Sequence, residues 1–138
     1  MALNLKNYDA AVMAGAIVQQ SFTPAAINAT ATATAAQVAT GYITSTSASA
    51  TTITLPTGTL LGAQLGAKQG TVFQLYIDNT AGASTVTIAV ATNGILSDAA
   101  TTTGGSFGQL TVAYGVTGIG EFSLMFSSPT AYVFTRTA

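Results

Sequence analysis

The chain has 138 residues, with three Lys or Arg, four Asp or Glu and a formal net charge of −1, and it contains no His, Cys or Trp. That excludes an imidazole base, thiolate chemistry, a disulfide framework and a Cys–His metal site, and it leaves no clustered Lys and Arg for nucleic acid. An ordinary soluble domain is about one-quarter charged; this one is 5% charged, so other subunits are expected to cover much of its surface.

Residues 1–40 read as an N-terminal arm. Leu3, Leu5, Tyr8, Val12, Met13, Ile17, Val18 and Phe22 are large apolar groups set among small residues. Residues 9–20 predict a short helix, since Ala, Met and Gln are good formers. Gly15 weakens it and Pro24 ends it. Ala10 to Val18 follows Lys6 in the manner of a secretory signal, but Asp9 interrupts that pattern. The run is too short for a bilayer, which takes about 20 apolar residues. Residues 25–39, AAINATATATAAQVA, are low-complexity and read as a linker or extended segment.

From Gly41 the pattern changes to period two, the mark of half-buried strands, and residues 41–138 read as one domain. Gly41 to Thr46 and Thr51 to Leu55 are strand candidates, the second stopped by Pro56. Leu60, Leu61 and Leu65 have helical spacing and predict a short helix over 59–65. Residues 72–78 put Phe73, Leu75 and Ile77 on one face. Asn79 to Ser84 is turn chemistry. Residues 85–91 then put Val86, Ile88 and Val90 on the buried face, which predicts a hairpin. Later strands are expected over 108–114, 121–127 and 131–136, with Leu110, Val112, Phe122, Leu124 and Phe126 inward. Seven or so short strands without intervening long helices predict an all-β fold. The expected form is an antiparallel β-sandwich, jelly-roll-like or barrel-like, with one short helix and an extended N-terminal arm.

No residue set carries catalysis. Asp9, Asp78, Asp98 and Glu121 are the only carboxylates, and nothing pairs two of them across a substrate. Asp98 lacks the dense carboxylates of a calcium loop. Residues 104–108, GGSFG, lack the Lys-Ser/Thr ending of a phosphate loop. No catalytic, metal or cofactor-binding residue is assigned, and no cofactor is expected. Tyr42, Tyr76, Tyr114 and Tyr132 alternate along strands and read as core edge or subunit contact rather than as sugar platforms. Tyr76, Tyr132 and Phe134 are the candidates for contact between subunits.

Residues 51–57 (TTITLPT), a Leu-rich helix, 70–79 (GTVFQLYIDN) and 81–89 (AGASTVTIA), with the closing 120–122 and 132–136, resemble the head decoration (cement) proteins of tailed phages and related capsid modules. The resemblance covers about residues 51–136 and is one of strands and turns. It implies a non-enzymatic virion protein, assembled in the host cytoplasm. Such a protein would be a homotrimer on the outer surface of the phage head, with itself and the major capsid protein as partners and neither nucleic acid nor membrane. The arm residues Leu3, Leu5, Tyr8, Val12, Met13, Ile17, Val18 and Phe22 are then candidates for contact with the shell or a neighbouring subunit. Two alternatives stand beside this reading. One is a receptor- or glycan-binding module of a phage fibre or capsid spike, and the other a bacterial surface or adhesive protein.

Overall fold

The computed structural model describes residues 22–96 and 110–138. The expected helix over 9–20, the arm residues before Phe22, and Asp98 lie outside them. Ten strands and two α-helices follow in order. They are β1 (Ala25–Ala26), β2 (Ala31–Thr32), α1 (Ala35–Ala39), β3 (Tyr42–Thr44), β4 (Thr51–Thr54), α2 (Gly58–Leu65), β5 (Val72–Asp78), β6 (Val86–Ala89), β7 (Gly94–Leu96), β8 (Thr111–Val112), β9 (Ile119–Ser128) and β10 (Ala131–Arg136).

The first half is a coil. The chain lays one strand in a large sheet, crosses to lay one in a small sheet, and returns through a helix. It does so as β1–β2–α1 and then β3–β4–α2, and β5–β6 begin a third turn. Successive turns pair in parallel. Ala25 lies against Ile43 and Ile43 against Ile77 in the large sheet; Ala31 lies against Ile53 and Ile53 against Ile88 in the small one. The second half closes both sheets. β9 runs antiparallel to β5, β10 runs antiparallel to β9, β7 joins β10 in parallel, and β8 lines the small sheet beside β6. The orders are β1-β3-β5-β9-β10-β7 and β2-β4-β6-β8.

The fold is therefore mixed α/β, with two sheets that combine parallel and antiparallel pairings, and not the antiparallel all-β sandwich expected. The expected hairpin of residues 72–91 is the clearest difference. β5 and β6 lie in different sheets, and the 79–85 connection crosses between them. Period-two patterning fixes which face of a strand is buried, not the direction or identity of its partner. The low-complexity stretch 25–39 is also structured, as the first turn of the coil. Ile27, Ala33 and Val38 are buried there.

Local chemistry sets the helices. Each follows a small-sheet strand and starts on a threonine. Thr34 caps α1 in a reciprocal pair with Gln37, its hydroxyl accepting from Gln37 N at 3.1 Å while Gln37 Oε1 accepts from Thr34 N at 2.8 Å. The Thr57 hydroxyl accepts from Leu60 N at 3.3 Å. α2 ends at Gly66 in the left-handed conformation. Gly62 lets α2 lie directly on the β9–β10 turn, because a Cβ there would overlap the Pro129 carbonyl.

The core fills the space between the sheets. Ile43, Leu75, Ile77, Phe122, Leu124 and Phe134 come from the large sheet, Ile53, Val86, Ile88 and Val112 from the small one, and Val38 and Leu61 from the helices. Phe122 stacks on Phe134 with ring centroids 5.1 Å apart, and Phe126 meets Tyr132 at 5.7 Å. Leu110 and Phe126 are buried as expected, while Phe73 is only half-buried.

Candidate interaction surface

The outer face of the large sheet carries two tyrosine–carboxylate pairs side by side. Strand register places Tyr42 beside Tyr76 and Tyr76 beside Glu121. The Tyr42 hydroxyl donates to Asp78 Oδ2 at 2.5 Å, and the Tyr76 hydroxyl to Glu121 Oε1 at 3.3 Å. Asp78 Oδ1 accepts from Thr80 N at 2.9 Å and from its hydroxyl at 2.7 Å. The Thr80 hydroxyl, then Tyr42, hold the Asp78 carboxyl below its ordinary pKa, and the bond to Asp78 raises the Tyr42 phenol. The charge of Glu121 raises that of Tyr76. Phe22, the first described residue, leans on Tyr76 with ring centroids 6.0 Å apart. A depression of about 280 Å³ lies between Phe22, Val72, Phe73, Gln74 and Tyr76. In the next rows Val72, Met125 and Val133 stand in register, with Val72 and Met125 about half exposed.

One end of β9 presents a second apolar feature. After β8 the chain makes a single 3-10 turn, Gly115–Thr117, before entering β9. Val116 at its tip is fully exposed, and Tyr114 and Ile119 beside it are more than half exposed. This loop is pinned from below by Asn79, which is wholly buried. Its side-chain amide donates to Ser84 O at 2.8 Å and Ala113 O at 2.9 Å, and reaches Val112 O at 3.5 Å. Its backbone N–H donates to Gly118 O at 2.6 Å. Gly118 is needed at that approach, since a Cβ would come within 2.8 Å of the Asn79 backbone. Arg136 ties down the same end. Its guanidinium donates to Thr111 O at 2.8 Å and to Ile119 O at 3.3 Å while lying 5.8 Å from the Phe122 ring centre.

At the opposite end of β9, α2 and the β9–β10 turn enclose a shallow apolar depression of about 420 Å³, with Lys68 among its lining residues.

The three candidates for contact between subunits therefore occupy different places. Tyr76 is on the outer face, partly under Phe22 of its own chain. Tyr132 and Phe134 are buried inside the subunit, where the Tyr132 hydroxyl donates to Pro56 O at 3.0 Å and burial raises its pKa well above the usual tyrosine value. Of the arm candidates, Phe22 alone falls within the described residues. Asn79 and Val116 went unnoticed in the sequence. Asn79 reads as one more turn residue, and residues 115–120 read as a turn with no sign that Val116 stands exposed at its tip.

The chemistry of this surface is that of contact. The two described carboxylates, Asp78 and Glu121, are each engaged by a tyrosine. Among the described residues no three His, Cys, Asp or Glu come together to hold a metal ion, and no helix is long and apolar enough to cross a membrane. No family model matches the chain, and neither a curated relative nor a solved structure proves similar to it.

Proposed function

We propose that this chain is a virion structural protein, a homo-oligomeric, non-enzymatic subunit that decorates and cements the head of a tailed phage. A single observation carries the reading. The subunit displays apolar groups at Val72, Met125, Tyr114, Val116 and Ile119 on a surface almost free of charge. Such a surface suits a subunit with neighbours on several sides. The resemblance of residues 51–136 to decoration proteins supports it through sequence pattern; the antiparallel sandwich no longer does. The arm, with Phe22 beginning its path over Tyr76, would reach the major capsid protein or the next subunit.

A second reading has its own observation. Tyr42 and Tyr76 flank two carboxylates on one open face, a chemistry that suits a glycan held by stacking and hydroxyl contacts. Copy number separates the two. Quantitative mass spectrometry of purified particles should find the chain in numbers comparable to the capsid protein. A handful of copies per particle would favour the glycan-binding tip module, and absence from particles would overturn the virion reading.

A further inference from the structure

The two apolar features at the ends of β9 differ in form. One is convex: Val116 stands fully exposed at the tip of a turn, flanked by Tyr114 and Ile119. Its backbone is held rigid by the Asn79 amide and by Arg136. The other is concave, lined by Thr59, Gly62, Ala63, Ala67, Pro129 and Thr130. All six are uncharged, and Gly62 lets α2 lie directly on the Pro129 carbonyl. Leu60, more than half exposed, lies one helical turn from Ala63.

The two cannot meet within one subunit. They are separated by the length of β9, whose ten residues span roughly 30 Å at about 3.3 Å per residue. One charge pair is complementary, since Arg136 at the knob end is turned onto Thr111 O, Ile119 O and the Phe122 ring. Lys68 is at the hollow, while Asp78 pairs in register with Ile119 at the opposite end. Two copies placed end to end would bring knob to hollow and Lys68 towards Asp78.

We propose that the Tyr114–Ile119 knob of one copy seats in the α2–Pro129 hollow of the next, a heterologous head-to-tail contact between copies of this chain. Such a contact uses two different surfaces, so it closes into a ring when the rotation per step divides a full turn and otherwise extends into a filament. The knob has the form of an interface anchor, an apolar tip preordered before binding. The inference takes up the self-association in the virion reading and names its surface. It concerns the purified chain, so its failure would leave the particle copy number untouched.

The test uses two variants of the full chain. Val116→Asp damages only the knob, and it alters a fully exposed side chain. Ala63→Arg blocks only the hollow, and arginine is a good helix former at an exposed site. Circular dichroism and thermal melting establish that both fold. Sedimentation velocity at micromolar concentration should give the wild type a whole multiple of 13.7 kDa and each variant a single subunit. Mixing the variants in equal amounts should restore one junction, between the intact knob of Ala63→Arg and the intact hollow of Val116→Asp. The mixture should therefore form a two-subunit species and nothing larger. A monomeric wild type, a variant that keeps the wild-type mass, or a mixture that stays monomeric would each overturn the proposal.

Discussion

Asn79 is the point at which the knob can be loosened without touching it. The side chain is fully buried, and its amide makes two well-formed bonds, to Ser84 O at 2.8 Å and Ala113 O at 2.9 Å. Asn79→Ala leaves both carbonyls without this donor. A buried group deprived of its partner costs about 1–3 kcal/mol. Ser84 and Ala113 lie partly at the surface, so water recovers some of this and the low end applies, about 1–1.5 kcal/mol each. One term opposes it. Asn79 Oδ1 is itself buried without a partner, and removing it recovers up to about 1 kcal/mol of desolvation. The net loss is about 2 kcal/mol. With a urea m-value of about 1.5 kcal/mol/M the unfolding midpoint falls by about 1.3 M. Hydrogen exchange adds a local readout, because the Gly118 amide, which donates to Gly115 O at 2.8 Å, should exchange faster than core amides do. Asn79→Asp sharpens the test. It sets a carboxylate against carbonyl oxygens, so the folded-state pKa of the new carboxyl rises. The variant should be least stable at neutral pH and recover as the pH falls through that raised value. A midpoint within about 0.3 M of wild type for Asn79→Ala, with unchanged exchange at Gly118, would refute the idea that this amide holds the loop.

Three further outcomes are expected. Phe122→Ala, which removes the ring stacked on Phe134 and lying under Arg136, should cost about 3–5 kcal/mol in chemical denaturation; a loss below about 1 kcal/mol would place that ring outside the core. Gly62→Ala should gain about 1 kcal/mol of helix propensity but lose more to the overlap with the Pro129 carbonyl, since overpacking costs about 1–3 kcal/mol; a higher melting temperature would show that α2 stands off the turn. Tyr132→Phe removes the bond to Pro56 O, worth about 1 kcal/mol. Because burial raises the wild-type phenol in the fold, its contribution is complete below about pH 10 and declines as the pH rises towards the folded value. Unfolding midpoints measured from pH 8 to 11 should therefore fall less steeply for the variant than for the wild type.

The sequence revealed burial better than partnership. The alternation in residues 72–78 correctly put Leu75 and Ile77 inside, and that in 121–127 did so for Phe122, Leu124 and Phe126. A strand's own pattern contains no record of which strand lies beside it. The crossing at Asn79 to Thr85 therefore looked like a hairpin turn, and the parallel ladders Ala25–Ile43–Ile77 and Ala31–Ile53–Ile88 went unseen. Residues 25–39 misled for a related reason. Alanines and threonines look like a linker because they bury little each, yet as one turn of a coil they need bury only Ile27, Ala33 and Val38 and take the rest of their support from backbone pairing with the turn above. The interaction surface was least legible. Tyr132 and Phe134 share a face with core positions, which an apolar pattern cannot distinguish from an outward contact. The prominence of Val116 depends on an Asn 37 positions earlier (116 minus 79), a distance that no local pattern spans.

The coil also orders events in time. Among the described strands, β9 and β10 are the only consecutive ones that pair with each other, and they are joined through Pro129 and Thr130. Every other ladder must close a longer loop before its first hydrogen bond forms, and the entropy of that closure comes ahead of the reward. Among the described elements the cheapest nucleus thus lies after the coil in sequence. A chain emerging from the ribosome reaches it only after the sparsely charged, threonine-rich turns of the coil have already been exposed. The interval before β9 pairs with β10 and covers the edge of β5 is then the period of greatest exposure to misassociation.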